Sequence, residues 1–135
     1  MTPVVVDTNI LVRLATGDNP GEHRAVLAAL ATRPWQVLAT VLLETEWVLR
    51  SVYGYSSEQF VAFIEWLQGH PQVTLAQAEM VKAALEHHRA GLDFADALHL
   101  AQAGALTLLT LDRKLLRSAG KLGLNARSPA ASSER

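Results

Sequence analysis

The chain has 135 residues, half of them hydrophobic, with 12 Lys and Arg against 13 Asp and Glu and a formal net charge of −1. That length suits one compact domain burying ~two thirds of its extended-chain surface, and the near-neutral balance excludes a protein that coats nucleic acid through bulk electrostatics. There is no cysteine, so there is no disulfide framework, thiolate nucleophile or cysteine metal site, and metal chemistry falls to oxygen or imidazole.

The sequence does not open with a basic stretch followed by a long apolar run, and no apolar stretch reaches the ~18 residues of a membrane span. A soluble, cytoplasmic protein is expected.

Behind Pro3, Val4-Val5-Val6 reads as a short strand buried on both faces. Asp7-Thr8-Asn9 follows without a spacer, at the carboxyl end where an open α/β sheet binds its ligands. All three residues are also good helix N-caps, and Asp7 taken alone reads equally as a cap or a site. Ile10, Leu11, Leu14 and Ala15 mark a short helix ended by Gly17-Asp18-Asn19-Pro20. A helix is expected from Gly21 to Ala31 and a strand from Trp35 to Ala39, with Thr40 as the N-cap of a helix from Val41 to Val52. Gly54 closes that helix, and Ser56 and Gln59 carry the capping-box spacing that opens a helix through Leu67.

Val73-Thr74-Leu75 is the third expected strand, and Gln77 to Arg89 a helix that stops at Gly91. A helix from Phe94 to Ala103, a central strand from Leu106 to Thr110, a helix from Arg113 to Ala119 and an edge strand from Leu124 to Arg127 complete the order. Strands alternating with helices argue an α/β domain over residues 1–127, its parallel sheet covered on both faces. The tail, residues 128–135, is small, polar and proline-bearing; it is expected to be disordered and is given no catalytic role.

Several acids lack a structural reason for their positions. Glu46 has Arg50 four residues on and reads as a surface ion pair. Glu44 has no cation at that spacing and projects between Trp47 and Val48, where a carboxylate is costly unless paired or metal-bound. Asp93 and Asp96 begin a helix; Asp93 reads as its N-cap, whereas Asp96 shares a face with Leu100 and Ala103 and reads as functional. His99 is taken as a packed or hydrogen-bonded structural residue rather than a ligand or proton carrier. Asp112 follows a strand as Asp7 does, and alone it is equally a cap or a site.

Asp7, Glu44, Asp96 and Asp112 all fall on the rim where an α/β sheet builds its site. Carboxylates gathered there raise one another's pKa unless a cation compensates, and Mg²⁺ or Mn²⁺ suits hard oxygen ligands. Such a site activates water and neutralises charge building on a phosphodiester. Thr8, Asn9 and Thr110 supply neutral groups to orient ligand or water.

Val-Asp-Thr-Asn, Leu-Glu-x-x-Trp-Val-Leu-Arg, Asp-Phe-Ala-Asp-Ala-Leu-His-Leu-Ala and Thr-Leu-Asp-Arg-Lys, in this order, resemble a PIN-domain ribonuclease and, more narrowly, a toxin of the VapC type. The resemblance runs from Pro3 to about Leu124, with the family's acidic positions on Asp7, Glu44, Asp96 and Asp112 and a frequently acidic neighbour on Asp93. It implies a three-layer α/β/α fold with a five-stranded parallel sheet in the order 3-2-1-4-5. It further implies Mg²⁺- or Mn²⁺-dependent cleavage of RNA, commonly a tRNA or ribosomal RNA, together with homodimerisation and inhibition by a cognate antitoxin. Asp7 and Asp96 would be the more direct metal ligands, and Glu44 and Asp112 would act directly or through water. Thr8, Asn9, Asp93 and Thr110 would support these ligands or meet the phosphate, and Arg113, Lys114 and Arg117 would hold the RNA backbone; Lys121 reads as a solvated residue.

Two other classes stay open. One is a non-catalytic partner-binding module, in which Trp47, Tyr53, Tyr55, Phe60, Phe63 and Trp66 supply assembly surface or core. The other is a small-molecule phosphohydrolase with an aspartyl nucleophile, against which counts the absence of an acid two residues after Asp7. Neither a phosphate-cradling glycine loop nor a dinucleotide fingerprint is present.

Overall fold

The structure, a computed structural model, describes residues 1–131. The chain divides into two compact units, Met1–Ala78 and a second that begins at Glu79.

The first unit is a parallel three-stranded sheet in the order β1-β2-β3, formed by β1 (Val4–Val5), β2 (Trp35–Val37) and β3 (Val73–Leu75). The crossover from β1 to β2 carries α1 (Thr8–Thr16) and α2 (Pro20–Thr32), and that from β2 to β3 carries α3 (Ala39–Tyr53) and α4 (Ser57–Gln68). Local signals set the helix ends. Gly17 and Gly54 take the left-handed conformation that stops α1 and α3, and Ser56 with Gln59 closes a complete capping box on α4. Trp35, in the middle strand, is fully buried, as are Leu11, Leu42, Leu49, Phe60 and Ile64. Helix α1 packs on both α2 and α3.

The second unit holds α5 (Ala78–Arg89, but for its first residue), α6 (Phe94–Ala103), β4 (Leu108–Leu109), α7 (Arg113–Lys121) and β5 (Ala126–Arg127). β4 and β5 pair in parallel, with α6 packed on β4 and α7 on β5. Val81, Ala84, Phe94 and Ala97 are its most buried residues together with Ala119.

Four expectations are corrected. The strands form one sheet of three and one of two, where a single sheet of five was expected. β1 is an edge of its sheet and not a strand buried on both faces: Val5 is 58% exposed and only Val6 of the valine run is buried. β4 is two residues long, with Leu106 and Leu109 exposed, because apolar alternation marks a strand without fixing how much of it finds a pairing partner. Thr40 does not cap α3; the helix starts at Ala39 behind Leu38, a position without a side-chain cap. In the tail, Pro129–Ala131 form a 3₁₀ turn, while residues 132–135 lie outside the described residues. No described helix is long and apolar enough to cross a membrane.

Candidate active site

In the first unit, the polar residues after β1 are drawn into α1. Asp7 has extended backbone and its Oδ1 accepts the Thr8 N–H at 2.7 Å, so it caps the helix. A cap uses one carboxylate oxygen and leaves lone pairs for another ligand. The Thr8 hydroxyl donates to Glu44 Oε1 at 2.9 Å, bringing α3's acid against the start of α1. Asn9 is exposed and lines a cavity of about 300 Å³ with Ile10, Arg13, Glu22, Ala25 and Val26.

Glu44 is exposed, and the acid taken out of water is Glu46, 4% exposed. The two exchange the roles expected of them because Val41, Leu42, Thr45 and Leu49 set the inward face of α3 while Trp47 is 59% exposed. Glu46 is held by Arg50, whose Nε and Nη2 donate to its two oxygens at 2.8 and 3.4 Å. What distinguishes Glu44 is therefore not burial but its bond to Thr8.

In the second unit, Asp93 caps α6 by accepting the Asp96 N–H at 3.4 Å. Asp112 caps α7 more fully, its Oδ1 accepting the N–H groups of Lys114 and Leu115 at 3.0 and 3.1 Å. The Thr110 hydroxyl accepts the Asp112 N–H at 3.1 Å and fixes the turn. Asp93, Asp96 and Asp112 share a cavity of about 400 Å³ with Lys114, Ser118 and Leu115. Burial raises the Asp96 pKa, and the charges of Asp93 and then Asp112 add to the rise, against a smaller opposing effect from His99. His99 itself is exposed, which corrects the packed one of its two expected structural places. Ser118 has no forerunner in the sequence reading; its signal is the four-residue spacing from Lys114, which sets both on one face of α7.

Arg113, Lys114 and Arg117 are all exposed but do not form one track. Lys114 lines the acidic cavity, whereas Arg113 and Arg117 line a second one with Leu111, Leu116, Ser128 and Ala130.

Among the described residues, no three His, Asp or Glu side chains lie together as a metal cage. The donor set still fits a hard divalent cation, since Mg²⁺ is usually held by one or two carboxylates, several waters and substrate phosphates rather than by an all-protein cage. Asp96 beside Asp112 offers two such carboxylates, and a cation there would offset the repulsion that raises the Asp96 pKa.

A polar cavity edged by the helix-capping carboxylates Asp93 and Asp112, the latter just past the end of a short parallel strand, is the kind of place where an α/β fold binds ligands. The PIN domain family model matches residues 4–121, nearly the whole chain, and the protein belongs to that family. PIN domains are generally metal-dependent nucleases. No curated protein matches the sequence.

Proposed function

We propose that this protein is a divalent-metal-dependent endoribonuclease that cuts a tRNA or ribosomal RNA and serves as the toxin of a toxin–antitoxin pair. The observation that carries the proposal is the half-buried Asp96, set in one cavity with Asp93 and Asp112 and raised in pKa by burial and by both neighbours. Such an arrangement is costly without a cation and useful with one.

Asp7 and Asp96 would hold Mg²⁺ or Mn²⁺ most directly, with Glu44 and Asp112 ligating it or its waters. When bound, the ion lowers the pKa of water and neutralises charge on the phosphate. Hydrolysis forms a bond from a water oxygen to phosphorus and breaks the bond from phosphorus to one ribose oxygen, which takes up a proton. A carboxylate of the set accepts the proton of the attacking water. The Thr8 hydroxyl orients Glu44, and Thr110 orients Asp112 through its backbone. Lys114 balances the phosphate charge from inside the acidic cavity, Arg113 and Arg117 hold the RNA backbone from the second cavity on α7, and Asn9 meets the substrate at the start of α1.

The toxin role rests on the resemblance of the four sequence motifs and brings with it a cognate antitoxin, a homodimer and a cytoplasmic setting. Trp47 and Trp66, 59% and 52% exposed, are suited to such protein contacts. The testing experiment incubates the purified protein with structured RNA, with and without Mg²⁺ or Mn²⁺, beside Asp7→Asn and Asp96→Asn. Metal-dependent cleavage that both substitutions abolish is expected; cleavage without metal, or surviving both, would refute the mechanism.

A further inference from the structure

Helix α5 ends in a turn that carries the chain back over the helix's own last residues. The N–H groups of Gly91 and Leu92 donate to the carbonyls of His88 and His87 at 3.0 and 3.1 Å, and Gly91 holds φ at +118°, a conformation that glycine adopts cheaply. The turn sets the Leu92 carbonyl against the His88 side chain, with Nδ1 at 2.7 Å from the oxygen. A carbonyl oxygen only accepts, so Nδ1 carries the proton and donates it. The same imidazole meets the Phe94 ring edge to face, with ring centroids 5.3 Å apart and planes at 61°.

His88 therefore holds the residue before Asp93 and the residue after it. His88, Leu92 and Phe94 are buried, whereas Asp93 between them is exposed and lines the acidic cavity with Gly91, Leu92, Asp96 and Asp112. The peptide group is planar, so fixing the Leu92 carbonyl also fixes the Asp93 nitrogen; fixing Phe94 sets the other side. Asp93 needs both. Its backbone keeps φ −54° and ψ 140°, the non-helical geometry of an N-cap, while its charge acts unfavourably on that of Asp96 and favours a turn away from the cavity. Any buried carbonyl needs a donor. What is particular here is that the donor and the ring contact fall on the two neighbours of one cavity carboxylate, and that a single side chain supplies both. Asn would donate without the ring, and Phe would supply the ring without the donor.

We infer that His88 is a positioning residue of the acidic cavity: its imidazole fixes the backbone on both sides of Asp93 and so holds that carboxylate on the N-terminus of α6 and beside Asp96. This rests on the metal-dependent reading proposed above and extends it to a residue that acts only through its neighbours, as the outer partners of metal ligands do.

The test compares the full chain with three variants. His88→Asn keeps a donor at the place of Nδ1, His88→Phe keeps the ring, and Val81→Ala opens a fully buried site about two turns earlier in α5 as a control for loosening of the helix. Nitrogen-15 NMR reads the tautomer of His88, amide exchange reads the Asp96 N–H that Asp93 accepts, and electron paramagnetic resonance of Mn²⁺ alone reads its affinity. The wild type should carry the proton on Nδ1. His88→Phe should speed Asp96 exchange and weaken Mn²⁺ binding, each about tenfold, and His88→Asn should bring both to within about threefold of wild type. Val81→Ala should lower the Tm yet keep Mn²⁺ affinity within about threefold. An Nδ1 without its proton, equal losses in the Asn and Phe variants, or an equal loss of Mn²⁺ affinity in Val81→Ala would overturn the inference. Should His88→Phe fail to fold, the wild-type tautomer and the Mn²⁺ affinity of His88→Asn decide. The two proposals fail separately. A wild type that binds no Mn²⁺ removes the metal-dependent reading and leaves Asp96 exchange to decide the role of His88, whereas Mn²⁺ binding indifferent to His88 removes the positioning role alone.

Discussion

The hydroxyl of Thr8 donates to Glu44 Oε1 across a separation of 36 residues, so the first turn of α1 holds the acid presented by α3. This is the contact that gives Glu44 a fixed orientation although it is exposed, and it places Thr8 as a positioning residue. Thr8→Val should slow RNA cleavage about tenfold with little change in Tm, and Thr8→Ser should restore most of the rate. Single-turnover kinetics beside thermal melts check this; equal loss in the Ser and Val variants would mean that the methyl group, and not the hydroxyl, matters.

Asp112 has two duties that substitution separates. Asn is as good an N-cap as Asp, so Asp112→Asn should keep stability within about 0.5 kcal/mol while cleavage falls about a hundredfold or more. Asp112→Ala leaves the Lys114 and Leu115 N–H groups without their acceptor and should cost about 1 kcal/mol in addition. Denaturant unfolding and cleavage assays on both variants decide; an active Asp112→Asn would reduce Asp112 to a cap.

The raised pKa of Asp96 has a sign that can be tested. The folded chain binds this proton more tightly than the unfolded chain, so its contribution to stability is present below the ordinary carboxylate pKa and is lost as pH rises through the raised folded value. In EDTA, Asp96→Asn should therefore melt above the wild type near neutral pH, by about 1–3 °C, with the gap closing at about pH 4. Added Mg²⁺ or Mn²⁺ should raise the wild-type Tm and leave the variant nearly unmoved. A wild type more stable than Asp96→Asn at neutral pH without metal would contradict the electrostatic account.

Glu46 is a structural carboxylate, and its dependence on Arg50 follows from burial. Arg50→Ala leaves a charge 4% exposed without that partner and should destabilise by about 1–3 kcal/mol, less than for a fully buried pair because Arg50 is itself half exposed. Glu46→Gln with Arg50→Ala should recover part of that loss; a double variant as unstable as Arg50→Ala alone would show that Arg50 acts through other contacts.

Much of the fold was legible wherever the signal is local. Gly17 and Gly54 can take the left-handed turn cheaply, Ser56 and Gln59 cap within one turn, and Asp93 and Asp112 announce helix starts, so these boundaries could be read directly from residue type. What depends on partners was not. The orientation of α3 is not legible because Trp47 has the side chain of a core residue yet is 59% exposed, and the burial of Glu44 and Glu46 is exchanged with it. The lengths of β1 and β4 and their division between two sheets depend on pairing, which the apolar pattern does not encode. At the site, spacing and resemblance mark the acids, whereas the Thr8–Glu44 bond, the place of Ser118 and the second cavity on α7 arise from tertiary packing that residue type does not encode.

The central claim, that Asp7, Glu44, Asp96 and Asp112 serve one metal-dependent reaction, is tested most directly by a double-mutant cycle on the single-turnover rate of RNA cleavage in saturating Mn²⁺. If the carboxylates act as a unit, Asp7→Asn and Asp96→Asn should each cost about a hundredfold or more, and the double variant should be little slower than either. Losses that multiply in the double variant, or a cleavage rate unaffected by either substitution, would contradict it.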